Sequence, residues 1–221
     1  ITERRQTGAT LAVADIAHGV DGVSTEQVRY LRISERLVWP YDNERGGQRY
    51  HEVPHTRQLV PNWTPVRILG EVPVEPDGSA HFRIPADTPV YFQLLDENHM
   101  EIRRMRSFIS LQPGETRMCV GCHETRGEAP VPMPFPLALA REPATPTPPP
   151  WGTKPLSFLR DVQPIFNRHC VQCHAGLSPA GGLDFSPGLR PRGVIPAFAA
   201  NQAYETIRSQ DLVARSNIHD D

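Results

Sequence analysis

Two short motifs hold every cysteine in the chain, and both have the form C-x-x-C-H. They occupy residues 119–123 and 170–174 of the 221-residue sequence. Two thiols three positions apart on one turn can add to the two vinyl groups of a haem, and the histidine after them is placed to bind the iron. The sequence therefore predicts two covalently bound haem c groups. The predicted thioether residues are Cys119, Cys122, Cys170 and Cys173, and the predicted proximal iron ligands are His123 and His174.

The same residue types also occur in zinc sites and disulfides, which the spacing does not favour. The interval between Cys122 and Cys170 far exceeds the roughly 15–20 residues that separate the two halves of a zinc ribbon. Zinc would also leave the paired histidines unexplained. Because no cysteine lies outside the motifs, a structural disulfide would require one haem site to be empty.

The sixth ligand of each iron decides between electron transfer and catalysis. Histidine gives low-spin, low-potential iron, methionine raises the potential, and an open position permits catalysis. Three histidines are our candidates for this position. His55, in a loop ahead of the main β segment, is the candidate for the first haem, and His169, too close to reach its own haem, could bind the other. His219 could bind its own haem or the haem of a neighbouring copy.

Composition limits the class of protein and its location. A formal charge of −2 argues against a nucleic-acid partner, and no apolar run approaches the roughly 18 residues that span a bilayer. The hydrophobic fraction of 38% is low for a single packed globule, which haem macrocycles in the core would explain. Thioether attachment takes place outside the cytoplasm, so we expect a periplasmic or extracellular protein. The sequence starts at Ile1 without a charged-then-apolar leader, which suggests a processed product.

The first half of the chain has the pattern of a β-rich domain. Alternating residues on both sides of a turn at residues 76–78 predict a β-hairpin over residues 65–85. We expect the β-rich domain to cover residues 1–128 and to carry the first haem at its C-terminal end. β-branched and aromatic residues predict four further strands, at Thr10–Ile16, Gln27–Ile33, Val90–Leu95 and Arg103–Leu111.

The second half changes from a proline-rich segment to a helical pattern. Residues 129–155 favour extended polyproline geometry, as a linker or as a strap across the surface. Residues 156–221 then predict a small helical cytochrome c-like domain, with Asp161 as the N-cap of its first helix and a second short helix at residues 201–210. The fold class is therefore predicted to be α+β. One face of the first helix is predicted to carry Phe158, Val162, Ile165, Phe166 and His169.

Four stretches ahead of the first motif have a pattern typical of one known family. They read RILGEVPVEPDGSA at residues 67–80, YFQLLDE at 91–97, MRSF at 105–108 and PGE at 113–115, which runs into the first motif. They resemble the middle domain of the hydrazine synthase alpha subunit family, a broad group of multihaem proteins, most of which are not known to make hydrazine. The second motif and its flanks, residues 161–184, look like the cytochrome domain that follows it. The resemblance covers about residues 8–210 and implies both the fold and the haem attachment.

Three departures from the family pattern bear on function. The synthase subunit carries a tyrosine near its catalytic haem iron, four residues beyond the motif histidine, where this chain has Gly127. Larger members carry a β-propeller ahead of this region, which this sequence lacks. At His99 the resemblance leads us to expect a small residue in a turn. The resemblance therefore supports haem attachment more strongly than it supports synthase chemistry.

Electron transfer is the function that these features favour. Two haems in one body can relay single electrons between redox protein partners, and the motifs include no acid–base pair or nucleophile. A variant is a homo-oligomer or polymer that conducts along stacked haems. The alternative is a haem enzyme, either a peroxidase or a nitrogen-compound oxidoreductase, with one open iron position.

Overall fold

The computed structural model describes residues 7–37, 66–105, 107–123, 134–191, 199–210 and 212. The chain divides into two compact units, residues 1–155 and 156–221. The first unit is built mainly from β-strands. These strands are β1 Gly8–Val13, β2 Tyr30–Arg36, β3 Val66–Pro73, β4 Ala80–Pro85, β5 Val90–Leu95, β6 Glu101–Arg104 and β7 Thr116–Cys119.

The seven strands form two sheets around one core. In the first sheet β1 pairs antiparallel with β4 and parallel with β7. In the second sheet β2 pairs antiparallel with β3 and β5, and β6 adds to β5. Phe82 of the first sheet meets Phe92 of the second edge-to-face, with ring centroids 5.6 Å apart. Fully buried side chains from both sheets complete this core, among them Leu11, Leu31, Ile33 and Val90.

The predicted hairpin over residues 65–85 is wrong in its pairing, although both strands and the turn exist. The Glu75 amide donates to the Ser79 carbonyl at 2.8 Å and closes the turn. Strand β3 pairs with β2, however, and β4 pairs with β1, so the connection crosses from one sheet to the other. Alternation reports which face of a strand is buried, and Val72 and Phe82 both face the shared core. It does not report which strand lies alongside.

The other predicted strands are borne out to different degrees. Val90–Leu95 is confirmed at its predicted bounds, and the two N-terminal strands are present as β1 and β2. The predicted strand Arg103–Leu111 is wrong over most of its length. Strand β6 ends at Arg104, and Ile109 returns only as a single bridge to Val90.

Residues 134–147 lie along one side of the sandwich and contact both sheets. Thr147 forms an antiparallel bridge with Glu71 at the edge of the second sheet, and Ala144 forms a parallel bridge with Phe82 at the edge of the first. Between Pro136 and these bridges the chain makes one short 3-10 helix, Leu137–Ala140. The segment therefore covers the outer edges of β3 and β4, whose main-chain groups would otherwise lack a neighbouring strand.

The second unit contains short helices and a two-stranded ribbon, which confirms the α+β class as a β-rich part with a small helical part. None of the helices in the described part of the chain is long and apolar enough to cross a bilayer. The elements are a π-helix Phe158–Val162, α1 Gln163–His169, a 3-10 helix Ala180–Gly182, β8 Leu189–Pro191, β9 Ala199–Asn201 and α2 Gln202–Ser209.

The first helix of this unit departs from prediction at its start. The N-cap is Ser157, whose hydroxyl accepts from the Arg160 amide, and Asp161 instead accepts from the Ser157 amide at 2.8 Å. The opening turn is a π turn, which adds a residue and rotates the later residues relative to their places in a plain α-helix. As a result Ile165 and His169 are exposed rather than on the buried face, and Gln163 is buried.

Candidate haem sites

The first motif continues the pairing of β1 with β7. Cys119 is the last residue of β7 and lies opposite Val13 in the parallel register. Beyond β1 the Ala14 amide donates to the Cys119 carbonyl at 2.9 Å, and the Asp15 amide donates to the Val120 carbonyl at 3.0 Å. The motif main chain is therefore fixed to the N-terminal segment rather than standing free of the sandwich.

A two-residue stretch, His18-Gly19, packs directly on the first motif. A Cβ atom on Gly121 would lie 2.5 Å from the His18 carbonyl oxygen, and one on Gly19 would lie 2.8 Å from the His123 carbonyl carbon. Gly19 also has a φ of +75°, which favours glycine. Both positions therefore need glycine for the two segments to approach this closely. Sequence reasoning assigned these residues no role, because nothing local marks a contact between segments so far apart in the chain.

The two sulfurs of the first motif sit against the apolar core. Cys119 and Cys122 are half-buried and pack against the core cluster. Burial, with smaller contributions from Cys119 and Asp15, raises the pKa of the Cys122 thiol to about 12. Such surroundings favour uncharged sulfur. A thioether is uncharged, so the site suits the product of haem attachment. His123 comes next, with an exposed side chain.

The second motif forms a single turn at the end of α1. The Cys170 amide donates to the Phe166 carbonyl at 2.8 Å and so continues the helix into the motif. The amides of Cys173 and His174 both donate to the Cys170 carbonyl, at 3.1 and 2.9 Å. These bonds hold both thiols and the imidazole on one turn, as covalent haem attachment requires.

The imidazole of His174 is oriented by a main-chain carbonyl. Its Nδ1 lies 2.9 Å from the Ala180 carbonyl oxygen, which can only accept, so Nδ1 carries the hydrogen. In the neutral ring the lone pair is then on Nε2, and this is the arrangement that second-shell bonds impose on iron-binding histidines. The loop is fixed by bonds from the Ala180 amide to the Cys173 carbonyl and from the Phe185 amide to the His174 carbonyl, at 3.0 and 2.8 Å.

Aromatic and apolar side chains surround the second motif. The Phe185 ring lies 5.3 Å from the His174 ring and 5.0 Å from Phe166. Ile165 and Leu177, close to the motif in sequence, are exposed, Leu177 fully so. Exposed apolar groups beside a haem-attachment turn are suited to contact with an apolar macrocycle.

The donor set fits haem better than it fits a bare metal ion. Across the described residues, no group of three or more His, Cys, Asp or Glu side chains converges as metal ligands. Haem iron needs only one protein nitrogen on each face, because the macrocycle supplies the other four. The oriented Nε2 of His174 would meet this need on one face.

The three candidates for the sixth ligand are placed differently. His169, the last residue of α1, is exposed at the end of that helix. His55 and His219 lie outside the described residues, as does Gly127. The Ala180 carbonyl was also missed by sequence reasoning, since a main-chain acceptor has no residue-type signal.

Comparisons with known proteins find a matching family model and a similar solved structure. The family described as hydrazine synthase alpha subunit middle domain matches residues 26–124, ending just after the first motif. A solved structure of Kuenenia stuttgartiensis hydrazine synthase is similar in fold, with a TM-score of 0.68 and 20% identity, over 91% of this chain and 33% of that chain. The chain therefore spans about a third of that relative, and no curated protein matches it. The match over residues 26–124 supports a relationship to the hydrazine synthase alpha subunit middle-domain family, which is the family that the sequence resembles.

Proposed function

We propose that this chain is a dihaem c-type cytochrome that relays single electrons between redox protein partners. The observation that carries the proposal is the His174 imidazole, whose Nδ1 donates to the Ala180 carbonyl beside two thiols on the same turn. That bond leaves Nε2 as the iron-binding nitrogen before any haem arrives.

In the second motif, each side chain has a defined task. Cys170 and Cys173 would hold the haem by thioethers, and His174 would bind its iron. Bound haem supplies reversible one-electron iron chemistry. The Ala180 carbonyl fixes the imidazole ring, and Phe166 and Phe185 provide an apolar wall that limits access of water.

In the first motif the same tasks fall to Cys119, Cys122 and His123. Here the sandwich core replaces the aromatic wall, since both sulfurs pack against it. The His18-Gly19 contact holds the motif main chain in place. A rigid surrounding is useful for electron transfer, because little has to move when the charge on the iron changes.

The sixth ligands are proposed to be histidines, which suit low-potential relay. His55 is the candidate for the first haem, His169 could bind the first haem but not its own, and His219 could bind its own haem. His219 of a neighbouring copy could also complete an iron and join copies into a polymer. We place the protein in the periplasm or outside the cell, because thioether attachment occurs there.

Relay is preferred to hydrazine synthesis because of one residue. The tyrosine that the family resemblance would place four residues beyond His123 is replaced by Gly127. No described feature beside either motif favours the alternative of a peroxidase or nitrogen-compound oxidoreductase.

Haem content and spin state test the proposal together. Pyridine haemochrome absorbance and intact mass should show two covalent haems, and the Cys170→Ser/Cys173→Ser and Cys119→Ser/Cys122→Ser variants should each lose one. At high protein concentration the ferric spectrum should be low-spin and unchanged by cyanide. Absence of covalent haem would overturn the proposal, and a high-spin component that persists at high protein concentration and shifts with cyanide would favour catalysis over relay.

A further inference from the structure

His99 has a main-chain conformation that histidine rarely adopts. It lies on the turn between β5 and β6 with a φ of +60°, in the left-handed region. Such a conformation is unfavourable for a residue with a Cβ atom, and it persists only where surrounding contacts maintain it. Contacts of the imidazole and of the His99 carbonyl group supply this support.

Three residues hold His99 in place. The ring stacks on Tyr30, with centroids 4.3 Å apart and planes inclined by 11°. Its Nδ1 lies 2.6 Å from Glu71 Oε2, and Arg32 Nε donates to the other Glu71 oxygen at 2.8 Å. Arg32 Nη2 also reaches the His99 carbonyl oxygen at 3.5 Å. The imidazole is thus fixed on one face and at one nitrogen.

The fixed nitrogen determines what the other nitrogen can do. The Glu71 carboxylate accepts from Nδ1, so in the neutral ring Nε2 carries the lone pair. A carboxylate on the far nitrogen also makes the imidazole a stronger ligand. The side chain is 52% exposed, and the neighbouring Met100 is 58% exposed. His99 therefore presents an oriented ligand nitrogen at the surface, beside an apolar thioether side chain.

The ligand class depends on the other groups near this nitrogen. In the described part of the chain no cluster of three metal-binding side chains includes His99, so a bare metal ion would have too few ligands. A haem iron that already has its proximal histidine needs only one further nitrogen. The exposed side chain of Met100, the next residue in the chain, suits contact with the macrocycle face.

The first motif of the same chain and His99 lie on opposite faces of the second sheet. Tyr30, Arg32 and Glu71 alternate with the buried Leu31 and therefore project from the outer face of that sheet. The thioether cysteines of the first motif pack against the core on its inner face. His99 is thus separated from them by the sheet.

We propose that His99 Nε2, in place of one of the candidate histidines named above, is the sixth ligand to a haem iron carried by a second copy of this chain. This rests on the proposed function, because it requires haem at the C-x-x-C-H motifs. Because one iron–nitrogen bond would join the copies, association and the low-spin fraction would rise together as the protein concentration rises. It would also bring the haem of one copy to a defined surface of the next.

The test uses the haem-loaded protein and the His99→Gly variant, since glycine keeps the left-handed turn without strain. Wild-type protein should associate in sedimentation velocity as its concentration rises, and its low-spin fraction should rise in parallel. His99→Gly should lose both changes, and free imidazole should restore the low-spin spectrum without restoring association. His81→Ala is the matched control, because the His81 Nδ1 also contacts a fixed oxygen, the Arg141 carbonyl at 3.2 Å, but its side chain is partly buried.

Three results would overturn the inference. One is a His99→Gly protein whose spin state and association match the wild type, and another is an equal loss in His81→Ala. The third is a low-spin fraction that does not change on dilution, since a ligand from the same chain is independent of concentration. Haem content is measured on every sample. Two haems in a protein that fails these tests would overturn this inference alone, whereas absence of haem would overturn the proposed function as well.

Discussion

Gly19 lies so close to His123 that a Cβ atom at position 19 would overlap the His123 carbonyl oxygen. The contact joins the loop after β1 to the residue predicted to bind the first haem iron. A second contact of the same kind joins the two segments, because a Cβ atom on Gly121 would overlap the His18 carbonyl oxygen. The position of the first motif is therefore set by a contact between two glycines and two histidines, and not by the C-x-x-C-H residues alone.

Gly19→Ala should destabilise the main chain of the first motif by more than the cost of placing alanine in a left-handed conformation. Alanine at a left-handed position costs about 1–2 kcal/mol, and the overlap with His123 adds to this. We expect a loss of about 3 kcal/mol or more in the free energy of unfolding. Amide hydrogen exchange should be faster at Ala14 and Asp15, which donate to the motif carbonyls.

Gly22→Ala is the matched control for this prediction. Gly22 has a similar φ of +73°, but a Cβ atom there meets nothing within 4 Å. It should show only the conformational cost, with exchange at Ala14 and Asp15 unchanged. Equal destabilisation by the two substitutions would show that the contact with His123 contributes nothing.

Gly70→Ala should displace the segment that covers the sheet edges. A Cβ atom at position 70 would lie 2.7 Å from the Thr147 carbonyl oxygen and 2.8 Å from Pro146 Cβ. Overpacking of this kind costs about 1–3 kcal/mol. The mutual bonds between Glu71 and Thr147, at 3.0 and 2.9 Å, should weaken, so proteolysis within residues 134–155 should accelerate.

Gly8→Ala provides the comparison, because its Cβ atom would make only an ordinary contact, 3.5 Å from the Ile84 carbonyl oxygen. The two variants should differ clearly in their rates of cleavage within residues 134–155. If Gly70→Ala is cleaved no faster than Gly8→Ala, the close approach of Thr147 does not restrict that position.

Asp77 should make the attachment of this segment depend on pH. Burial raises the pKa of Asp77, but hydrogen bonds from the Leu137 amide, the Ser79 hydroxyl and the Ser79 amide outweigh burial and lower the pKa overall. The folded-state pKa is thus below the unfolded value of about 3.9. The carboxylate therefore stabilises the fold above that value, and this contribution is lost as pH falls through the folded-state pKa.

Urea unfolding followed by circular dichroism at about pH 5.5 and about pH 3 measures this contribution through the change in midpoint. Asp77→Asn cannot ionise, so its midpoint should fall less between the two conditions than that of the wild type. Glu97→Gln removes one negative charge from an exposed turn and controls for net charge. A pH response in Asp77→Asn as steep as the wild-type response would contradict the assignment.

The local sequence pattern predicted where the strands lie better than it predicted which strands pair with one another. Val90–Leu95 was confirmed because all six of its residues are buried, and such a run between turns has few alternatives. The pairing of β3 with β2, and of β4 with β1, depends on contacts across the whole sandwich. No alternation within residues 65–85 distinguishes that arrangement from a hairpin.

The sites were predictable where covalent chemistry fixes residue type, and only there. The motif residues can be read from the sequence because thioether and iron bonds require cysteine and histidine at fixed spacing. The Ala180 carbonyl, the His18-Gly19 contact and the left-handed turn at His99 have no such signal. Each arises from the folded main chain. The π turn ahead of α1 likewise places Gln163 in the interior. A plain helical period predicted only Phe158 and the other residues of its face at buried positions.

Gln163 should be the polar residue on which the second unit depends most. Its side chain is 3% exposed, its Nε2 donates to the Phe185 carbonyl at 3.0 Å, and its Oε1 accepts from Asn201 Nδ2 at 3.0 Å. Gln163→Leu keeps the volume but leaves a buried carbonyl and a buried amide without partners, which costs about 2–4 kcal/mol. Peptides from residues 156–191 should exchange amide hydrogens faster by the corresponding factor. Asn167→Ala removes an exposed hydrogen-bond partner of the same Gln163 amide and should change the exchange rates little. If Asn167→Ala and Gln163→Leu accelerate exchange equally, the stability comes from the helix surface and not from the buried bonds of Gln163.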